Sequence, residues 1–175
     1  MNLKNQNKIK EKIKKIKIIL TDVDGVLTDG GMYYSHSGDM MKKFHARDGM
    51  GVSLLKKNGI PTVIVTKEKT EIVKKWASKM SIAKLYDGIL KKENILDKIS
   101  KDFKVKPSEM AFIGDDVNDI NLLKSVGFSA MPNDGIQQLK KICDYQCRTI
   151  GGNGVLREIA ELIFEKKLTK KYKSY

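Results

Sequence analysis

The sequence predicts an α/β fold: a doubly wound, Rossmann-like parallel sheet with helices on both faces. Three short apolar runs are typical of strands buried on both faces: IKIILT at 16–21 and PTVIVT at 61–66, which are rich in β-branched residues, and MAFIG at 110–114. Segments with helical apolar spacing lie between these runs, and this alternation indicates a parallel sheet. Ligands of such sheets bind beyond the carboxyl ends of the strands.

The remaining elements follow from periodicity and turn residues. Near the N-terminus, Ile9, Ile13 and Ile16 recur at helical spacing among lysines, which predicts an amphipathic helix that either packs on the body or frays. A helix is predicted over 47–59, ending at Gly59 as its C′ residue. Further helices are predicted over 69–80, 91–103, 116–127, 135–142 and 154–165, and further short strands over 84–88, 128–131 and 144–147.

A β-hairpin is predicted between the first strand and the helix at 47–59. Its strands are MYYS at 32–35 and MKKFH at 41–45, with Gly38 in the loop between them. This hairpin, at about 31–45, is the candidate for a flap, and its simpler interpretation is an extension of the sheet.

The spacing of the strand ends leaves no room for a separate cap domain. Asp24 and Thr66 are separated by 41 residues, and Thr66 and Lys92 by 25. The predicted hairpin, helices and short strand occupy both intervals, whereas a domain needs roughly 50 residues or more. Some other element must therefore exclude water from this edge.

Length and composition indicate one globular domain. The chain has 175 residues, of which 41% are hydrophobic and 31% are charged. It contains neither a run of 18 apolar residues nor an apolar signal segment at its start, so no membrane partner is expected. Two cysteines, Cys143 and Cys147, do not make a disulfide framework, and a cytoplasmic location is expected.

The net charge of +13 is concentrated at the two ends of the chain. Residues 1–17 carry +6 and residues 165–175 carry +4, which leaves +3 for the body. A nucleic-acid-binding protein is expected to carry a basic stripe on its folded body, so no nucleic-acid partner is predicted. The expected organisation is a lysine-rich N-terminal extension over 1–15, one α/β domain over 16–165 and a basic tail over 166–175.

Polar and charged side chains follow the predicted strands. In chain order they are Asp22 and Asp24, then Thr66, then Lys91 and Lys92, then Asp115, Asp116 and Asp119. Carboxylates from neighbouring strand ends repel one another unless a cation joins them, and oxygen ligands suit Mg²⁺. Carboxylate, magnesium, lysine and hydroxyl in one crevice suit phosphoryl transfer. Gly25 adds a loop whose backbone N–H groups can hold phosphate oxygens.

Each of these features has a simpler interpretation when it is taken alone. A DxD pair is common in turns, a lysine such as Lys92 is most often solvated, and acidic residues are favoured at a helix N-terminus. The order of the features, each at a strand end, favours the catalytic interpretation.

The chain resembles the haloacid dehalogenase superfamily and, within it, the small phosphatases of 3-deoxy-2-ulosonic acid phosphates. The resemblance covers about residues 16–164 and rests on ILTDVDGVLTDGG, KKFHARDGMGVSLLKKNGI, TVIVT, YDGILKK, AFIGDDVNDINLLKSVG and GGNGVLREIAELI, in that order. It implies an Mg²⁺-dependent phosphatase of 3-deoxy-D-manno-octulosonate 8-phosphate, a step of lipopolysaccharide biosynthesis. The alternative substrates are the 9-phosphates of nonulosonates, namely KDN or N-acylneuraminate, a sialic acid.

The resemblance implies catalytic roles for four residues. Asp22 attacks phosphorus and forms an aspartyl-phosphate. Asp24 protonates the leaving sugar oxygen and then takes a proton from the hydrolytic water. Thr66 binds phosphoryl oxygens, and Lys92 neutralises the nucleophile and the phosphate.

The resemblance also implies a metal site and its supporting residues. The implied Mg²⁺ ligands are Asp22, Asp115 and the main-chain carbonyl of Asp24. Asp116 is expected beside the metal, and Asp119 is expected to orient Lys92.

Arginine is rare in this chain, which has 31 lysines and three arginines. Arg47 lies in RDGMG, which resembles the octulosonate phosphatases, and its planar fork could bind the substrate carboxylate. Arg157 is the alternative ligand for that carboxylate, although it could equally pair with Glu158 or Glu161 on its own helix.

The residues after Thr66 give a conflicting indication of the substrate. The octulosonate pattern has Gly and then Arg there, whereas this chain has Lys67 and Glu68. A glutamate at the second position resembles the nine-carbon group. The eight-carbon substrate is preferred because it is the better represented activity.

Three further expectations concern partners. The resemblance implies a homotetramer in which the hairpin of a neighbouring subunit closes the site. A hypothesis of another class is a non-catalytic assembly module of the same fold, which would tend to lack the nucleophile or the metal ligand. A third is binding of nucleic acid or a membrane surface through the basic ends, which deletion of residues 1–14 and 166–175 would abolish.

Overall fold

The computed structural model describes residues 3–167 and contains a parallel sheet of six strands within that range. The strands in chain order are β1 (Ile18–Thr21), β2 (Tyr33–Ser35), β3 (Gly38–Met41), β4 (Thr62–Val65), β5 (Lys84–Tyr86), β6 (Met110–Ile113), β7 (Phe128–Met131) and β8 (Tyr145–Gln146). The sheet has the order β5-β4-β1-β6-β7-β8, with every neighbouring pair parallel. The predicted fold class is confirmed.

Helices connect the strands. They are α1 (Leu3–Lys15), α2 (Ala46–Lys57), α3 (Glu71–Lys79), α4 (Leu96–Phe103), α5 (Ile120–Ser125) and α6 (Val155–Lys167). Gly59 has a φ of +74° just after α2, as expected of a C′ residue. Two of the predicted helices are shorter than expected, because the 3₁₀ turns Lys92–Ile95 and Val117–Asp119 precede α4 and α5. The helix predicted over 135–142 is instead the 3₁₀ helix Gln137–Lys141.

The strands are buried on both faces, and alternate residues enter two separate cores. Ile19 of β1 packs with Ala111 of β6 in the core beneath α1, α2, α3 and α6. Leu20 and Phe112 pack in the core beneath α4 and α5. Helices on both faces explain why the strands are continuous apolar runs rather than alternating ones.

The N-terminal segment predicted as an extension contributes to the first of these cores. Ile9 and Ile13 on α1, with Ile16 after it, are at most 5% exposed. Lys12 on the same helix lies 2.5 Å from Asp144. Within residues 3–167, no helix combines the length and the apolarity that crossing a bilayer requires. Most of the predicted basic tail, from residue 168 onward, lies outside the described residues.

The hairpin is present, but its second strand begins earlier than predicted. Strand β3 starts at Gly38, so the loop contains only His36 and Ser37. Gly38 has a φ of +109°, which lets the chain reverse within two residues. Phe44, predicted to lie in the strand, instead bridges to Thr28 and stacks on Trp76 with ring centroids 4.7 Å apart.

Candidate active site

The acidic residues after β1 and β6 converge at one edge because these two strands are neighbours at the centre of the sheet. Asp22 follows β1 directly, and Asp115 follows β6 after Gly114. One carboxylate oxygen from each of Asp22, Asp115 and Asp119 lies within 4.8 Å of the others. The convergence predicted from strand-end positions is therefore observed.

Lys92 is the cation at the centre of this cluster. Its side chain is fully buried, with Nζ 2.5 Å from Asp22 Oδ2 and 2.7 Å from Asp119 Oδ1. Burial opposes the charged form, but Asp22 and Asp119 outweigh it and raise the pKa of Lys92 above its ordinary value. Lys92 therefore stays an ammonium that holds the carboxylate of Asp22 in place.

Asp119 orients Lys92 and also shapes the loop that carries Asp115. While Oδ1 of Asp119 binds Lys92, its Oδ2 accepts the N–H of Asp115 at 2.9 Å and that of Asp116 at 3.3 Å. A Cβ on Gly114 would lie 2.6 Å from Asp119 Cγ, so this approach requires glycine. Both oxygens of Asp119 are thus engaged within the protein. Asp22 is held too, because its Oδ1 accepts the N–H of Val23 at 2.7 Å while its Oδ2 contacts Lys92.

The cluster carries more negative charge than Lys92 can neutralise. Burial, opposed by Lys92, raises the pKa of Asp22 to about 7. Burial and the neighbouring Asp22 and Asp119 raise the pKa of Asp115 to about 8. A further positive charge at this position would favour the ionised form of both carboxylates. The donor set consists of oxygens only, which fits a hard divalent cation.

Asp24 lies beside the cluster and is bound by two side chains. Its Oδ1 accepts from Thr28 Oγ1 at 3.2 Å and from Lys42 Nζ at 2.6 Å. Lys42 also donates to Glu68 Oε2 at 3.1 Å. Neither Thr28 nor Lys42 was singled out in the sequence, since nothing distinguishes Lys42 from the other lysines in a chain that has 31 of them.

Thr66 is buried and fixed through its backbone at the end of β4. Its N–H donates to the carbonyl of Tyr86 at 3.0 Å, and its carbonyl accepts the N–H of Ile89 at 3.0 Å. Together with Asp22, Asp24 and Asp115, it borders a polar cavity of about 260 Å³. The lining residues are Asp22, Asp24, Gly25, Gly30, Thr66, Lys67, Glu68, Asp115, Asp116 and Asn118.

The structure places Arg47 and Arg157 away from this cavity. Both border a second cavity of about 350 Å³ that also includes Arg148. Arg157 Nε donates to Glu161 Oε1 at 2.8 Å, which is the pairing within the helix that the spacing allowed. Neither arginine therefore lines the cavity beside Asp22, whereas Gly25 and Glu68 do.

Asp48, next to Arg47, has a structural position. It is fully buried, and its Oδ1 accepts the N–H of Arg157 at 3.0 Å near the start of α6. Burial raises the pKa of this carboxyl to about 6. Asp48, which lies in the RDGMG segment of α2, thus connects this helix to α6 by a hydrogen bond, and the two helices pack against each other.

Comparison with known proteins agrees with this architecture. Residues 62–159 match the family described as haloacid dehalogenase-like hydrolase. The chain is 32% identical over 157 residues to the 3-deoxy-D-manno-octulosonate 8-phosphate phosphatase of Haemophilus influenzae, covering 90% of this chain and 87% of the relative.

Two solved structures of such phosphatases superpose on this chain. The enzyme from Moraxella catarrhalis, in complex with magnesium ion, phosphate ion and KDO, gives a TM-score of 0.89 at 34% identity and 93% coverage of both chains. The cobalt-bound form from H. influenzae gives a TM-score of 0.87 at 32% identity, covering 89% of this chain and 91% of that one. The fold, the cluster of aspartates at the sheet edge and these matches show that the chain belongs to the haloacid dehalogenase-like hydrolases.

Proposed function

We propose that this protein is an Mg²⁺-dependent phosphatase that hydrolyses 3-deoxy-D-manno-octulosonate 8-phosphate through an aspartyl-phosphate on Asp22. The observation that carries the proposal is the buried Asp22–Lys92–Asp119 arrangement facing Asp115. It presents one carboxylate oxygen as a nucleophile beside a site for a cation. The names and bound ligands of the relatives support the eight-carbon sugar acid as the substrate.

Asp22 and Asp115 would hold the magnesium ion, together with the main-chain carbonyl of Asp24. When bound, Mg²⁺ supplies positive charge that offsets the carboxylates and the phosphoryl oxygens. Lys92 supplies a second positive charge, with its Nζ 2.5 Å from Asp22 Oδ2. Two cations around one carboxylate lower the repulsion between the nucleophile and the phosphate dianion.

In the first step, an oxygen of Asp22 forms a bond to phosphorus while the bond from phosphorus to the sugar oxygen breaks. Asp24 gives its proton to that sugar oxygen, which leaves as an alcohol. Thr66 and the backbone N–H groups around Gly25 bind the phosphoryl oxygens within the cavity.

In the second step, water attacks the phosphorus of the aspartyl-phosphate. Asp24, now a carboxylate, takes the proton from this water, and the bond between phosphorus and Asp22 breaks. Inorganic phosphate leaves, and both aspartates return to their starting states. The protein contributes little covalent chemistry beyond Asp22, so positioning and electrostatics account for the rest of the rate.

The nine-carbon sugar-acid 9-phosphates are the second candidate substrates. The observation that favours them is Glu68, which borders the cavity where the octulosonate pattern has arginine. Release of inorganic phosphate should be measured against both classes, with Mg²⁺ and with EDTA. We expect the eight-carbon substrate to give the higher kcat/KM. A higher value for a nine-carbon substrate would reassign the substrate, and no Mg²⁺-dependent release from either would refute the phosphatase.

Gly25 allows Asp115 to approach the metal position, and its replacement should abolish Mg²⁺-dependent activity. A Cβ at Gly25 would lie 2.0 Å from Asp115 Oδ2, and its φ of +79° disfavours any side chain. We expect Gly25→Ala to lower kcat by about 100-fold or more, because displacement by an ångström is enough to disrupt such a site. Gly59→Ala is the matched control, since Gly59 has a φ of +74° and open space around it. Equal activity in the two variants would contradict this role of Gly25.

A homotetramer formed through the hairpin completes the proposal. Large apolar side chains on and beside the hairpin are exposed, including Met32, Tyr34 and Met40, at 58% or more. Such a patch is typical of an interface, and a neighbour's hairpin could exclude water from a cavity that has no cap domain.

We expect light scattering after size exclusion to give a tetramer at micromolar concentration. The triple variant Met32→Lys, Tyr34→Lys and Met40→Lys should shift the mass toward the monomer because charges replace the apolar contact. A wild-type protein that is monomeric under these conditions would contradict the assembly.

The expected location of the enzyme is the cytoplasm. Cys143 and Cys147 are both free thiols, and burial raises the pKa of Cys143 to about 12. Fractionation of cells expressing the protein tests this location, which recovery in an extracytoplasmic fraction would contradict.

A further inference from the structure

The side chain of Lys42 is largely enclosed at the base of the hairpin, directly after β3. Its side chain is 8% exposed, although lysine is ordinarily among the most exposed residues. Its Nζ lies 2.6 Å from Asp24 Oδ1 and 3.1 Å from Glu68 Oε2. The next residue, Lys43, is 51% exposed and lies 3.6 Å from Asp29, as expected of a surface lysine.

Lys42 holds one of the two carboxylate oxygens of Asp24. Oδ1 of Asp24 accepts from Lys42 and, at 3.2 Å, from Thr28 Oγ1. The single proton of Thr28 also lies within reach of the carbonyl of Val23, at 3.4 Å, so Lys42 is the stronger hold. Among residues 3–167, no hydrogen bond is made to Asp24 Oδ2, which leaves that atom for chemistry.

The same ammonium joins three segments around the cavity. Asp24 lies on the loop after β1, Lys42 lies at the base of the hairpin, and Glu68 lies on the loop after β4. The position of Asp24 is thereby tied to the hairpin and to the loop that borders the substrate cavity.

We propose that Lys42 is a positioning residue for the proton transfers of Asp24, holding Oδ1 so that Oδ2 donates to the leaving oxygen. This inference rests on the proposed phosphatase function. In the step concerned, the proton moves from Asp24 Oδ2 to the sugar oxygen as its bond to phosphorus breaks. A sugar alkoxide needs that proton, whereas a nitrophenolate leaves without one.

The test compares two substrates, because kcat/KM reports only the steps up to the first cleavage. We expect Lys42→Met to lower kcat/KM for octulosonate 8-phosphate by about 10- to 100-fold more than for p-nitrophenyl phosphate. Lys43→Met is the matched control and should leave the ratio of the two values unchanged. Lys42→Arg, which keeps the charge and its donors, should restore part of the ratio.

A second comparison tests whether Lys42 acts through Asp24. In the Asp24→Asn background, adding Lys42→Met should change the ratio by less than about twofold, because the proton transfer is already lost. An equal loss on both substrates in Lys42→Met and Lys42→Gln would show a structural role and overturn the proposal. Failure of the wild-type protein to hydrolyse any sugar-acid phosphate would instead refute the proposed function.

Discussion

Replacing Asp22 by asparagine should lower kcat by about four orders of magnitude or more. An amide oxygen is a poor nucleophile at phosphorus, and asparagine cannot replace the charge that a divalent cation requires. The measurement is Mg²⁺-dependent phosphate release at saturating substrate. A non-catalytic assembly module would show no release in either protein, and turnover near the wild-type level in Asp22→Asn would refute the nucleophile.

The same variant should fold at least as stably as the wild-type protein in the absence of metal. Asp22 is 6% exposed, and burial raises its pKa from 3.8 to about 7. The folded state therefore binds a proton more tightly than the unfolded state, so ionising Asp22 opposes folding as the pH rises through this interval. Asparagine removes that opposition while Lys92 keeps its contact with Asp119. Thermal unfolding with EDTA at pH 5 and pH 8 should show a gain that is larger at pH 8.

Replacing Lys92 by methionine should both inactivate and destabilise the protein. The substitution removes the fully buried ammonium that contacts Asp22 and Asp119, which lie beside Asp115. Removing one partner of a buried ion pair costs about 3–5 kcal/mol, because the remaining charge stays desolvated. Phosphoryl transfer also loses the positive charge beside the nucleophile.

Urea unfolding of Lys92→Met and Lys91→Met measures this difference. Lys91 is exposed and adjacent in sequence, so its replacement should change the free energy of unfolding by no more than about 0.5 kcal/mol. A Lys92→Met protein as stable as Lys91→Met would contradict the charge balance assigned to the site.

The sheet and the acidic edge could be predicted from sequence because both depend on local pattern. The apolar runs at 16–21, 61–66 and 110–114 contain β1, β4 and β6. Because these strands are parallel, the residues that follow them lie at one edge of the sheet. This is why Asp22 and Asp115 lie at the same edge. The burial of Lys92 was not predictable from its own segment, since it arises from the 3₁₀ turn that starts at this residue.

The residues around Asp24 depend on contacts that no local pattern encodes. Lys42 reaches Asp24 because the hairpin turns within two residues and returns the chain to the sheet edge. The small number of arginines also did not indicate where they lie. The three arginines, Arg47, Arg148 and Arg157, share a cavity near the start of α6 instead of meeting Asp22.

Covalent trapping of the phosphorylated protein tests the central claim most directly. Octulosonate 8-[³²P]phosphate would be mixed with excess enzyme and Mg²⁺, quenched in acid within milliseconds and separated from small molecules. We expect protein-bound label in the wild-type protein that hydroxylamine releases, as expected of an acyl phosphate, and none in Asp22→Asn. Two results would contradict the account. One is rapid phosphate release from the wild-type protein with no protein-bound label at any time, and the other is protein-bound label in Asp22→Asn.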